Sequence, residues 1–299
     1  MFGLNKIIPT NSNYDFMKLK NYFIYLSIFL IVISVFLLSF RGLNLGIDFK
    51  GGTLVEVTTK TSDIGELRSI LSPHFNDVSL QEFGNSQTVI IRLQNNSNEE
   101  SIETINKVKD LINDKVEEFR RSEFVGPTIS SELLWKGLQA ISFALIAILF
   151  YIWLRFEWQF GFGAVVALTH DVLFTLGVLS LLKIDFSLAS IAAILTICGY
   201  SINDSVVVYD RIRENLRKYK KLDMKELFNI SINNTLSRTV MTSLTTLIAL
   251  FSLYFLGGEV IRPFAFAMVI GVIVGTYSSI FIAVPTLLLF KFRPQDDEY

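Results

Sequence analysis

The run YFIYLSIFLIVISVFLLSF at 22–40 carries no charged side chain. A stretch this long and apolar leaves the backbone few options. In hydrocarbon every N–H and C=O must be satisfied within the segment, which selects an α-helix. About 20 residues of helix cross the roughly 30 Å of a bilayer core. Five more stretches have the same character, so spans are expected at 21–41, 133–154, 160–182, 187–209, 236–257 and 263–289. The composition agrees, with 51% hydrophobic residues and a mean hydropathy of +0.46, values ordinary for a polytopic membrane protein. The first span exceeds the apolar core of a signal peptide and no A-x-A site follows it, so it reads as a retained anchor.

The remaining composition excludes several classes. A formal charge of -1 implies no general affinity for polyanions, and no nucleic-acid module is evident. Cys198 is the sole cysteine, which excludes internal disulfides, and His74 and His170 are too far apart to make a metal-ligand set. No metal or cofactor is expected. GIDFKGG at 46–52 lacks the glycine spacing and the Lys-Ser/Thr of a phosphate-binding loop.

Lysines and arginines in the short connections set orientation. Lys18 and Lys20 precede the first span and Arg155 follows the second. Arg211, Arg213, Arg217, Lys218, Lys220, Lys221 and Lys225 follow the fourth, and Lys291 and Arg293 the sixth. The opposite connections hold only Lys183 and Arg262. Both termini, 1–20 and 290–299, are therefore expected in the cytoplasm. Tyr151, Trp153 and Trp158 bracket one turn, as interfacial aromatics do. The basic segment 210–235 reads as a surface loop with helical turns, attracted to anionic membrane lipids.

Residues 42–131 form a polar insert on the outer side. GGTLVEVTT alternates like a strand, SDIGELRSIL reads as a short helix capped by Ser62 or Asp63, and DVSLQEF and QTVIIRL read as strands joined at Gly84–Asn85. In SNEESIETINKVKDLINDKVEEF, Ile102, Ile105, Val108, Leu111, Ile112 and Val116 recur at helical spacing. EFVGPTIS closes the unit. The order strand-helix-strand-strand-helix-strand is that of a ferredoxin-like α+β domain.

Polar residues inside the spans are the candidates for function, because each is costly in a bilayer and needs a partner in the bundle. The third span has His170 and Asp171. The fourth has Tyr200, Ser201, Asn203, Asp204 and Ser205, and the fifth Ser237, Arg238, Thr239, Thr242, Ser243, Thr245 and Thr246. Asp204 and Arg238 fall at similar depth on antiparallel helices, so pairing is geometrically reasonable. Arg238, Thr242, Thr245 and Thr246 form one stripe. Two readings stand: a fixed ion pair that sets helix register, or a carboxylate that binds and releases protons as a helix movement brings the cation near or takes it away. His170 is expected to hydrogen-bond within the bundle. Gly271 and Gly275 make a G-x-x-x-G face, beside Ser278 and Ser279, for close contact with another helix. An Asp171–Asp204 protease dyad would need a G-x-G-D motif that is absent, and a small-molecule or lipid exporter would need larger outer domains.

GYSINDSVVVYDRIRENLRK, SRTVMTSLTTL, GVIVGTYSSIFIAVP, LGIDFKGGT and the His170–Asp171 pair together resemble the SecF branch of the SecD/SecF protein-export family, over effectively the whole chain. The resemblance implies an α-helical polytopic membrane protein, a six-helix RND-type half-bundle with a ferredoxin-like periplasmic domain between its first two spans, in a bacterial inner membrane. It implies no enzymatic activity, a SecD partner, the SecY-SecE-SecG channel and SecA pathway, and an unfolded polypeptide as substrate, drawn outward by the proton gradient. It also implies that Asp204 and Arg238 carry the proton pathway. Ser205 stands where many members have threonine, which keeps the hydroxyl.

Overall fold

The computed structural model describes residues 12–60, 64–75, 78–83, 85–93, 100–258 and 261–290. The expected Ser62/Asp63 cap, the Gly84 turn position, Lys291 and Arg293 lie outside the described residues. The chain divides into two units, 1–44 with 141–299, and 45–140.

The smaller unit is built on a four-stranded antiparallel sheet. Its strands are β1 (Gly52–Thr59), β2 (Val78–Phe83), β3 (Asn85–Leu93) and β4 (Val116–Val125), in the spatial order β2-β3-β1-β4. β1 is central, with Val55 opposite Ile91 on β3 and Ser122 on β4. Alternation sends Val55 and Val57 to one face, where they pack with Val89 and Ile91 against Leu67 and Leu71 of one helix and Val108 and Ile112 of another. On the other face Leu54 and Ile90 pack with Ile47 and Val125. The order of elements and the strand pairing make a ferredoxin-like α+β domain.

The two helices of this unit are Ile64–Leu71 and Glu100–Ile112. The second departs from the pattern read in the sequence. Ile102 is 72% exposed, and Val116 belongs to β4 after a 3-10 turn at Asn113–Lys115. At 3.6 residues per turn Ile102 sits about 120° around the helix from Val108, too far to share its buried face. Entry into β1 runs through one helical turn, Ile47–Lys50, and two glycines with positive φ, 74° at Gly51 and 111° at Gly52. Only glycine adopts such angles freely.

Among the described residues six helical segments are long and apolar enough to span a membrane. Numbering helices along the whole chain, these are α1 (Phe16–Phe40), α4 (Pro127–Arg155), α5 (Trp158–Leu182), α6 (Leu188–Lys218), α7 (Met224–Leu256) and α8 (Arg262–Ser278) with its continuation to Leu289. The helices Ile64–Leu71 and Glu100–Ile112 of the smaller unit are α2 and α3. Ser187 and Ser190 form a reciprocal capping box that starts α6.

The segment 210–235, expected as a surface loop with helical turns, is mostly helix and continuous with the spans on either side. α6 continues to Lys218 and α7 begins at Met224, where the Asp223 side chain accepts from the Lys225 amide. Only 219–223 connect them. The reason is local, since no proline or glycine interrupts 200–256 and the residues near Lys218 are good helix formers. At 1.5 Å per residue, α6 and α7 reach about 45–50 Å, well beyond the hydrocarbon core. Their extensions pack on each other through Ile212, Leu227 and Phe228, with a buried bond from Asn215 Nδ2 to Ser231 Oγ (2.8 Å).

The same extension of α7 holds the start of α1. Asn233 Oδ1 accepts from the Tyr14 amide (2.9 Å) while its Nδ2 donates to the Tyr14 carbonyl (2.8 Å). Asn229, one turn earlier, accepts from the Met17 amide and donates to Asp15 Oδ1. The two amides thus serve 14–17 as a strand partner would.

The sixth span changes character after α8. A π-helical turn at Ser279–Ala283 leads into short helical turns to Leu289. Pro285 explains this, because its ring and missing N–H disturb the ladder one turn upstream. The Ala283 carbonyl accepts from Tyr209 Oη of α6 (3.3 Å). Gly163 makes that contact possible, since a Cβ there would lie 2.6 Å from the Tyr209 hydroxyl and 2.9 Å from the Ala283 oxygen.

Candidate functional site

The inward face of α6 recurs at Ile194, Ile197, Ser201, Asp204 and Val208, spaced by three or four residues. α5 presents Ala164, Ala167, Asp171 and Thr175 in the same way. α8 presents Gly271, Gly275 and Ser278. A Cβ on Gly271 would overlap the Ile197 side chain, and one on Gly275 would lie 3.2 Å from Ser201 Cβ. Without side chains at these two positions α8 lies directly on α6, which brings polar groups of three helices together.

The centre of that cluster is Asp171, which is fully buried. Its Oδ2 accepts from Ser201 Oγ of α6 (2.6 Å) and from Ser278 Oγ of α8 (2.7 Å). Its Oδ1 faces His170 Nδ1 at 3.0 Å. The His170 ring stacks on Phe174 and lies 6.0 Å from the Tyr277 ring. Tyr277 Oη donates to the Phe23 carbonyl and meets Ser27 Oγ, tying α1 to the same layer.

A second chain of hydroxyls joins α6, α7 and α8. Tyr200 Oη donates to Ser243 Oγ (3.2 Å), which meets Thr276 Oγ1 (2.6 Å). Ser205 is buried next to Asp204 on α6, whereas Asn203 is exposed.

Asp204 is only 2% exposed, and its Oδ2 has no hydrogen-bond partner among the described residues. Arg238 lies near enough for its charge to act on that carboxylate. No Asp204–Arg238 ion pair forms within 4.0 Å among the described residues, and Arg238 is exposed. The direct pairing inferred from equal depth is therefore not the arrangement found. Depth along a helix does not fix direction around it. Near Arg238 the buried positions of α7 are Thr235, Leu236, Thr239 and Ser243, and Arg238 stands one residue, about 100°, away from Thr239. The stripe read through Arg238, Thr242, Thr245 and Thr246 differs from the inward one. Thr242, Thr245 and Thr246 donate to carbonyls of their own helix, Thr242 to that of Arg238 at 2.8 Å. Thr239 Oγ1, by contrast, is buried and has no partner among the described residues.

Four contributors escaped the sequence reading. Ser278 was visible only as a small residue on a packing face, Thr276 carried no signal, and Asn229 and Asn233 lay in what looked like a loop. None stands near its partner in sequence, Ser278 being 107 positions from Asp171. Among the described residues no group of three or more His, Cys, Asp or Glu side chains could hold a metal ion.

A six-helix membrane bundle with a ferredoxin-like domain after its first span, and with Asp171 held by hydroxyls from two neighbouring helices, defines the class of RND-like polytopic membrane proteins. The sequence profile described as protein export membrane protein SecD/SecF, C-terminal, matches residues 104–293, and the SecD/SecF GG motif matches 36–63. The chain belongs to the SecD/SecF family. It is 45% identical over 293 residues to protein translocase subunit SecF of Rickettsia rickettsii, covering 96% of this chain and 95% of that one. The SecF of Rickettsia bellii is 44% identical over 290 residues, covering 95% and 96%. Among solved structures, SecDF of Thermus thermophilus is similar, with 38% identity and a TM-score of 0.86 over 95% of this chain. SecDF in its super-membrane-facing form gives 37% identity and a TM-score of 0.70 over 94%. The chain spans 39% of each SecDF chain. The GG-motif match includes Gly51 and Gly52, whose positive φ turns the backbone into β1. By its family and its six spans the chain is a multi-pass protein of a bacterial inner membrane.

Proposed function

We propose that this chain is a non-catalytic auxiliary subunit of the Sec translocase that assembles with a SecD-type partner and uses the proton gradient to promote outward movement of unfolded polypeptides. It would serve the SecY-SecE-SecG channel after the initial push from SecA. Both termini would lie in the cytoplasm, as the excess of Lys and Arg on that side supports, and the ferredoxin-like domain in the periplasm. The observation that carries the reading is the Asp204 carboxylate, buried on α6 without an ion-pair partner yet within electrostatic reach of Arg238. Such a group can exist charged or neutral, and which form prevails depends on how near the cation stands. Arg238, exposed on this chain alone, would be covered by the partner bundle.

Magnitudes favour an auxiliary role. One charge crossing the membrane yields about 2.3 kcal/mol per 100 mV, enough to bias a domain between two orientations. It is small beside the roughly 5–15 kcal/mol that holds a folded domain together, so the substrate must already be unfolded. The two SecDF forms match this chain at nearly equal identity and coverage but at TM-scores of 0.86 and 0.70, which supports a family that works by changing conformation.

Asp204→Asn tests the reading, because the amide keeps the size and cannot ionise. In inverted membrane vesicles the variant should insert and assemble normally and lose the gradient-dependent part of export. Gradient-dependent export at the wild-type rate would remove this carboxylate from the mechanism.

A further inference from the structure

The three donors around Asp171 determine more than packing. An ionised carboxylate only accepts hydrogen bonds. The hydroxyls of Ser201 and Ser278 point at Oδ2, and Oδ1 lies 3.0 Å from His170 Nδ1. With the carboxylate as acceptor, the imidazole proton must sit on Nδ1. His170 Nε2 is then left as a bare acceptor, and it is buried with no partner among the described residues. Buried polar atoms without partners are uncommon and mark places where a structure holds something in reserve.

The charge balance says what that is. The groups facing the pair are Ser201 and Cys198 from α6, Ser278 and Tyr277 from α8, Ser27 from α1 through Tyr277, and Phe174 on α5. No lysine or arginine appears among these contacts. A carboxylate beside a neutral imidazole leaves one uncompensated negative charge at membrane depth, an expensive state. We propose that His170 and Asp171 form a second proton-binding dyad, which takes up one proton on His170 Nε2 and becomes a neutral imidazolium–carboxylate pair. The Nδ1–H bond is retained, one N–H bond forms on uptake and breaks on release, and the pair alternates between charges of −1 and 0.

The dyad extends the proton-coupled reading of Asp204 and rests on it for its role in transport. Ser201, which holds Asp171, precedes Asp204 by three residues on the same face of α6. Imidazolium formation draws the carboxylate toward His170 and loosens its hold on Ser201 and Ser278, the two hydroxyls that fix α6 against α8. His170 and Thr169 both line a cavity of about 550 Å³ between α1, α5 and the end of the sixth span.

The chain has two histidines, which makes the test clean. In the complete complex in lipid, with ¹⁵N-histidine incorporated in this chain alone and His74 of the other unit replaced (His74→Gln), NMR reports His170 alone. Lowering pH should move the Nε2 signal from a bare to a protonated nitrogen while Nδ1 stays protonated throughout. The opposite tautomer, or an Nε2 signal that does not change wherever the complex stays assembled, would overturn the proposal. As a functional arm, His170→Asn keeps an N–H at the Nδ1 position toward Asp171 and removes Nε2. With assembly intact it should lose gradient-dependent export and flatten its pH profile. If it exports as wild type while Asp204→Asn does not, the dyad is refuted and the Asp204 reading stands. If Asp204→Asn exports normally, that reading fails, and the NMR titration still decides whether the dyad binds a proton.

Discussion

Substituting Gly271 by alanine adds one methyl group to the face where α8 lies on α6. Its Cβ would fall within 3.0 Å of three atoms of Ile197, including 2.9 Å from Cγ2. Ile197 is fully buried and β-branched, so within a helix it has essentially one χ1 rotamer and cannot swing aside. Relief requires the helices to separate, a form of overpacking that costs about 1–3 kcal/mol. Alanine also favours a helix over glycine by about 1 kcal/mol, and that gain must be removed before the clash is read. Gly199 supplies the reference. It lies within α6, and a Cβ there meets nothing within 4 Å. The unfolding free energy of Gly271→Ala should fall below that of Gly199→Ala by about 1–3 kcal/mol, a factor of roughly 5 to 150 in the folded ratio. Denaturant titration in mixed micelles, followed by near-ultraviolet circular dichroism, measures both. In an Ile197→Ala background the clashing atoms are gone, so Gly271→Ala should become neutral or stabilising. Equal stabilities of the two alanine variants, or no change of sign in that background, would refute the claim that Ile197 sets the closeness of α6 and α8.

Two further outcomes follow from local geometry. Gly51→Ala places a side chain at φ 74°, ψ 174°, a region essentially reserved for glycine where an L-residue costs about 1–3 kcal/mol, so the ferredoxin-like unit should melt several degrees lower while helix content is kept. Asn233→Ala removes both bonds to the Tyr14 backbone and should speed limited proteolysis near residues 12–15, whereas Asn234→Ala, an exposed neighbour, should not.

What could be read from the sequence followed from short-range physics. The spans were legible because a helix in lipid needs about 20 apolar residues and nothing else. The strand order of the smaller unit was legible because Val55 and Val57 alternate with polar residues, and Leu67, Leu71, Val108 and Ile112 repeat at helical spacing. The reach of α6 and α7 beyond the bilayer was not, because a polar, basic stretch looks alike in a loop and on a solvated helix. Asp171 could be named as a candidate, but not its partners. Ser201 and Ser278 meet it only because Gly271 and Gly275 let two helices close, a long-range fact. Asp204 and Arg238 show the remaining gap. Residue counting gives height along a helix, while a rotation of about 100° between Arg238 and Thr239 decides which of them turns inward.

The asparagine clamp has a consequence for biogenesis. Residues 14–17 leave the ribosome well before Asn229 and Asn233, which grip them and follow 212 to 219 positions later. At synthesis rates of about 5–20 residues per second, the leading helix waits roughly 10–40 s in the bilayer before its grip exists. Of the six described spans, the one made first is thus fastened only once the fifth has been made, and a chain truncated before α7 should leave that segment in place but loose.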